Sequence, residues 1–262
     1  MHPSIFLSHG SPMLPLVAAP ASEFLAGLGR LVEERHGRPK AILVSSAHWE
    51  TAVPAVNAVA VNETIHDFHG FPRPLYDLRY HAPGAPVVAE QVHDLLVAAG
   101  LDCRIDRRRG LDHGAWCPLI LAWPEADIAV LQVSVQSALG PAHHARLGAA
   151  LRPLRAEGVL VIGSGSWTHD LRRFRGQPID APEGPDVTAF SEWMDLAVRQ
   201  GRGADLLDYR ARAPFAAEQH PTEEHLLPLF VALGAGGDAI RAEHLHGSST
   251  YGILRMDAYA FH

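Results

Sequence analysis

The chain has 262 residues, of which 47% are hydrophobic and 19% charged, with a formal net charge of −7 and only two cysteines. This composition suits one α/β domain over residues 1–262, and with Arg107-Arg108-Arg109 as its sole basic cluster it argues against a nucleic-acid partner. Isolated Cys103 and Cys117 exclude a disulfide framework or thiolate zinc site and point to a reducing, cytoplasmic setting, while the lack of a signal-peptide pattern or an apolar run near the roughly 20 residues of a bilayer span argues against secretion and membrane insertion.

In chain order, Ser4–Ser8 reads as a short strand that ends in His9-Gly10-Ser11-Pro12, where Gly and Pro mark a turn. Residues 22–35 carry Phe24, Leu25, Leu28, Leu31 and Val32 at helical spacing. They lead into the apolar run Ala41-Ile-Leu-Val-Ser-Ser-Ala, a buried strand that delivers His48, Trp49 and Glu50 just past its end. Residues 54–61 predict a further strand, 64–72 a loop rich in histidine and aromatics, and 85–99 a helix stopped by Gly100. A strand near Cys103–Ile105 precedes Leu111-Asp112-His113-Gly114-Ala115-Trp116.

The second half continues with further strands and helices, without an internal repeat. Residues 127–135 form a buried strand and 142–157 a helix that Pro153 kinks or divides. The aliphatic run from Gly158 opens into Gly163-Ser164-Gly165-Ser166-Trp167-Thr168-His169, the third strand end to present a histidine. Residues 186–200 are helical and 203–210 a short helix or turn. A helix is expected over 222–233, with Thr222 as N-cap, His225 in its first turn and Gly234 as terminator, and Tyr251–Phe261 alternate as a strand.

Seventeen histidines is an unusual number, but only their placement can promote any of them to a ligand. Parallel strand ends share one rim of an α/β sheet, so His9, His48 and His169 converge there and the helix bearing His225 adds a fourth imidazole. Imidazoles suit zinc, iron, copper or nickel, whereas magnesium or calcium would need clustered carboxylates, which Glu50, Glu223 and Glu224 supply only weakly. Competing chemistries have less support: the Gly-x-Ser-x-Gly elbow of serine hydrolases is absent, both cysteines read as packed thiols, and no phosphate-binding glycine loop follows a strand. Trp49 and Trp116 read as packing residues, and Arg73, Arg79, Arg172 and Arg173 as solvated surface rather than anchors for a substrate carboxylate.

Six ordered motifs carry a resemblance over almost the whole chain: Ser8-His9-Gly10-Ser11-Pro12, Ser46-Ala47-His48-Trp49, Ile65-His66-Asp67-Phe68 with Gly70-Phe71-Pro72, Asp112-His113-Gly114 with Trp116, His169-Asp170-Leu171, and Glu224-His225-Leu226-Leu227-Pro228-Leu229. Together they resemble class III extradiol ring-cleavage dioxygenases, in particular the DOPA-dioxygenase branch of bacteria and plants. The resemblance implies a three-layer α/β sandwich with a mostly parallel central sheet, and an enzyme that uses Fe(II) and O₂ to open a catechol beside its two hydroxyls. His9, His48 and His225 match the metal ligands, His169 the acid/base and His113 a residue contacting substrate or supporting the site. Better-known members use two histidines and a glutamate; here His225 takes the third position, with Glu224 as its orienter.

A ligand set of three neutral histidines also accepts Zn(II), the stronger binder in the usual affinity order. The expected partners are a small-molecule catechol and O₂, with the chain a monomer or small homo-oligomer. Two other functions fit the same histidines: a zinc-dependent hydrolase, and a non-catalytic metal-binding protein of the same fold.

Overall fold

The apolar runs become strands buried on both faces, which explains why they carry so few polar residues. A computed structural model describes residues 1–237 and 239–262. Its strands are β1 (Ser4–Ser8), β2 (Ala41–Glu50), β3 (Ala55–Asn57), β4 (Arg104–Asp106), β5 (Ala129–Val135), β6 (Val159–Gly165), β7 (Ala242–His246), β8 (Ser249–Thr250), β9 (Leu254–Arg255) and β10 (Ala258–Phe261). Eight of them form one sheet in the order β4-β3-β5-β2-β6-β1-β10-β7, and β8 with β9 makes a separate hairpin. The central strands β5, β2, β6 and β1 run parallel, while β3 on one side and β10 and β7 on the other pair antiparallel to their inner neighbours.

Side-chain alternation along these strands builds the layers. Ile5, Leu7, Ile42, Val44, Leu160 and Ile162 face one core together with residues of the helices Pro20–His36 and His113–Ala122. The intervening Phe6, Leu43 and Val161 point to the other side, where the helices Pro86–Ala98, Gly140–Leu151, Pro185–Arg199 and Leu227–Gly236 pack. The result is the α/β three-layer arrangement that the family resemblance implies, with parallel strands at its centre and mixed edges.

The helix Leu227–Gly236 is buried along its whole length. Its approach to β6 needs glycine: a Cβ on Gly163 would lie 2.0 Å from the Pro228 carbonyl oxygen, and one on Gly165 2.0 Å from that of His225. The expected small-residue turn at Gly163-Ser-Gly is instead the end of β6, and its residues are small because another backbone lies against them.

Several elements differ from expectation. The helix expected from Thr222 begins at Leu227. The His225 carbonyl accepts from the Ser166 amide across the structure (2.8 Å) instead of from an amide one turn on, and Thr222 Oγ1 donates to Glu224 Oε1 (3.0 Å) rather than capping a helix. Strand β2 does not stop before His48 but runs to Glu50, with its pairing to β5 irregular between Ser45 and Glu50. His113 begins a helix, and the strand expected over residues 54–61 shortens to β3. The stretch 251–261 divides into the end of a hairpin and β10, because Tyr251 and Gly252 both take positive φ (57° and 66°) and reverse the chain. Pro153 divides its helix, giving Gly140–Leu151 and Pro153–Ala156. Strand β7, charged and only half-buried, lacked the apolar run that marks the others. Among the described residues no helix is long and apolar enough to cross a membrane.

Two stability measurements test this packing. Gly163→Ala is expected to destabilise by about 2 kcal/mol through the clash with Pro228, whereas Gly27→Ala, in a helix with open space around it, is expected to stabilise by about 0.5 kcal/mol; urea midpoints separate them. The second concerns His144, whose Nδ1 donates to the Gly140 carbonyl (2.7 Å) and whose Nε2 accepts from the Gln136 amide (3.0 Å), so only the neutral ring fits. Burial lowers its pKa to about 4 against an ordinary 6.5. Between those values the unfolded chain binds the extra proton, so this histidine costs nothing above pH 6.5 and removes about 3 kcal/mol by pH 4. Urea unfolding across that window should show a slope that flattens by one proton's worth in His144→Gln.

Candidate metal centre

Three elements deliver the imidazoles. His9 follows β1, with its amide donating to the Gly165 carbonyl (2.9 Å) at the end of β6. His48 lies in the irregular last part of β2, where Arg109 donates to its carbonyl (3.2 Å) and stacks over Trp49 at 4.8 Å. His225 sits in the turn before the Leu227–Gly236 helix, its carbonyl held by Ser166. The Nε2 atoms meet: His9 to His48 is 3.0 Å and His48 to His225 3.2 Å. Ring nitrogens of all three lie within 4.8 Å of one another.

Each ring's other nitrogen faces an acceptor. Ser164 Oγ donates to the Gly114 carbonyl, so it accepts from His9 Nδ1 at 3.1 Å. His225 Nδ1 lies 3.0 Å from Glu224 Oε1, and His48 Nδ1 3.5 Å from Asp67 Oδ2. Protons placed at Nδ1 leave three Nε2 lone pairs aimed at one another, an arrangement satisfied by a cation between them.

The electrostatics agree. Burial, reinforced by His48, His113 and His169, holds His9 well below its ordinary pKa, and burial with His169 and the other rings does the same for His225. Burial followed by repulsion from His113 lowers His48 to about 4. The site therefore presents neutral imidazoles at neutral pH, the form that binds a metal.

His169 and His113 flank this cluster. The amide of His169 donates to the Gln219 carbonyl (2.8 Å), and its ring stacks on His225 with centroids 3.4 Å apart and planes 12° apart. Burial, then the neighbouring His48 and His113, lowers its pKa to about 4, below the 6.5 of a free imidazole. His113 is held by Asp67, which accepts from its amide at 3.0 Å and from its Nδ1 at 2.9 Å. Burial alone would raise the Asp67 pKa, but the His113 hydrogen bond and charge hold it near 2.

The five histidines share a cavity of about 540 Å³ whose other walls include Phe68, Phe71, Phe174 and Ile253. A second, polar cavity reaches His48 past Glu50, Arg210 and Glu224.

Trp49 and Trp116 are buried packing residues, as expected, and Trp116 donates to the Ile65 carbonyl (2.9 Å). His66 lies outside the cavity lining, with Nε2 3.2 Å from the Leu78 carbonyl. Sequence reasoning missed Asp67 and Ser164 as partners of the site. It also missed the buried Asp112, whose carboxylate accepts from Ser46 (2.6 Å), Gln132 (2.8 Å) and Arg109 (2.9 Å) behind His48. Asp67 stood beside His66 in a quoted motif; its reach of 46 residues to His113 had no local signal.

An α/β sandwich with imidazoles gathered at the ends of its central parallel strands defines the class, and comparison with known proteins gives the family. Residues 3–261 match the family described as the catalytic LigB subunit of aromatic ring-opening dioxygenase, and the chain belongs to it. It is an extradiol dioxygenase. It is 45% identical over 260 residues to a 4,5-DOPA dioxygenase extradiol of Beta vulgaris, covering 98% of this chain and 96% of the relative. An Escherichia coli K12 protein of the same name is 38% identical, covering 89% of this chain and 84% of its own length. The crystal structure of an uncharacterised E. coli K12 protein superposes with a TM-score of 0.81 at 30% identity, covering 100% of both chains.

Removing His9, His48 or His225 as alanine variants should weaken Zn(II) binding at least 100-fold in competition with a chelating dye. Glu224→Gln should weaken it about 10-fold, by loosening the tautomer and orientation of His225. Equal affinity in all four variants would show that the cation sits elsewhere.

Proposed function

We propose that this chain catalyses Fe(II)-dependent extradiol cleavage of a catechol by O₂ to a ring-opened semialdehyde, with His9, His48 and His225 as metal ligands. One observation carries the reading: three Nε2 lone pairs converge while each Nδ1 faces an acceptor oxygen on its other side. The donor set fits a borderline divalent ion, Fe(II) or Zn(II), better than a hard one. Held there, the ion supplies a Lewis acid that stabilises catecholate charge and gathers the two reactants.

The remaining residues bind the ring and handle protons. Asp67 fixes the proton of His113 on Nδ1, so His113 Nε2 is the atom available to a catechol hydroxyl. His169, neutral at physiological pH, accepts a hydroxyl proton and returns it later in the cycle. Phe68, Phe71 and Phe174 wall the ring from bulk water. The names of the relatives make DOPA one catechol to assay first.

Oxygen uptake with a catechol series after anaerobic Fe(II) loading tests the reading, with formation of a coloured ring-opened product expected. Failure of every catechol, with an ester or amide cleaved by the Zn(II) form, would replace it with a zinc hydrolase. His169→Ala is expected to lower turnover at least 100-fold while keeping most Zn(II) affinity; loss of the metal in this variant would make His169 a principal ligand instead.

A further inference from the structure

We propose that Arg73 binds the carboxylate of the catechol substrate, and so gives the chain its preference for carboxylate-bearing catechols over those that lack the group. The proposal rests on the extradiol reading above and deepens it by naming the residue that reads the substituent.

The cavity itself offers a carboxylate no ionic partner. Among the described residues no lysine or arginine lines it, and the walls beyond the histidines include Phe68, Phe71, Phe174 and Tyr251. A carboxylate left there would lose hydration without gaining a counter-charge. With the catechol hydroxyls directed at the histidines, a charged substituent on the far side of the ring has to reach the rim.

Four arginines flank the segments that wall the cavity, and by sequence Arg73, Arg79, Arg172 and Arg173 all read as solvated surface. The structure separates them. Arg79 donates to the carbonyls of Tyr76 and Leu78 (2.5 and 2.7 Å), Arg172 binds the Asp170 carboxylate (2.7 Å), and Arg173 chelates Asp186 (2.5 and 3.2 Å). Arg255, next to the lining residue Leu254, is fixed between Asp257 (2.7 Å) and Glu183 (3.0 Å). Arg73 is exposed, and among the described residues it makes no hydrogen bond or ion pair, not even with Asp77 one turn on. It can therefore take a carboxylate without giving up an existing partner.

The chain holds Arg73 beside the mouth. It follows Phe71-Pro72, and two residues span at most about 7 Å, so its backbone stays close to the half-buried wall residue Phe71. The segment is pinned: Phe68 packs on Phe71 and on Tyr76, both at 5.4 Å between ring centroids, and the Phe71 amide donates to the Tyr76 hydroxyl (3.3 Å). Arg73 opens the short helix Arg73–Asp77 that carries Tyr76. An arginine so placed lays its alkyl stem along apolar surface and keeps its guanidinium in water, where the planar fork donates to both oxygens of a carboxylate.

The test compares DOPA, 3-(3,4-dihydroxyphenyl)propanoate and dopamine, which share the ring and differ in the carboxylate, with the Fe(II)-loaded full chain at low ionic strength. In parallel, their equilibrium binding to the Zn(II)-loaded protein is measured without turnover. Arg73→Ala is expected to lower kcat/KM for DOPA and the propanoate about fivefold relative to dopamine, chiefly through KM, with a matching loss in binding. Arg73→Lys should lose less and Arg73→Glu more, and the native preference should shrink as salt rises. Because Arg73 is exposed and unpaired, all three variants should unfold at the native urea midpoint, so the ratios compare folded enzymes. A DOPA-to-dopamine ratio that Arg73→Ala leaves unchanged, or that Arg172→Ala moves in its place, overturns the role of Arg73 and leaves the extradiol reading standing. If no catechol consumes O₂, both fall.

Discussion

The site depends on a contact between backbones. At the end of β6 the segment His225–Pro228 lies so close that a methyl group on Gly163 or Gly165 would overlap its carbonyl oxygens. With those glycines in place, the Ser166 amide reaches the His225 carbonyl and the Gly165 carbonyl receives the His9 amide. One strand end therefore fixes the backbones of two candidate ligands, and its own Ser164 orients the His9 ring. Irregular backbone next to a ligand pocket is usually mobile. Here the segments bearing His9 and His225 are tied to the end of β6 by main-chain hydrogen bonds, which favours a preformed site.

The arrangement also carries an electrostatic cost. Five imidazoles crowd one buried rim, and on His9, His48, His169 and His225 a proton is opposed first by desolvation and then by the neighbouring rings. What disfavours protons also clears lone pairs for a metal, so acid and cation compete for the same nitrogens. The carboxylates of Asp67 and Glu224 bias that competition by accepting the Nδ1 protons of His113 and His225, which keeps their Nε2 atoms free.

Much of this was legible before any coordinates, because buried parallel strands write long apolar runs and a histidine ending such a run stands out. His9, His48 and His169 were found that way, His225 came from a helix start expected to face the same rim, and the family resemblance brought in His113. The rest was hidden for identifiable reasons. Thr222 followed by acids imitates a helix start, yet the carbonyl that would continue that helix is bonded to β6. Asp67 and Asp112 act through contacts with residues far along the chain, beyond any local window. Strand β7 is an edge element stabilised by pairing with β10 rather than by burial, so its pattern is that of a loop.

The sequence distances inside the cluster have a thermodynamic consequence of their own. His9 and His48 are 39 residues apart and His48 and His225 are 177 apart, so one ion held by all three, as proposed, would close two consecutive loops. Such a tie acts as a removable cross-link between the first strand and the last buried helix. On the proposed reading the ion would bind the folded chain far better than the unfolded one, so the stability of the whole sheet would rise with free metal concentration. The supply of metal would then set the fraction of molecules that is folded as well as the fraction able to turn over.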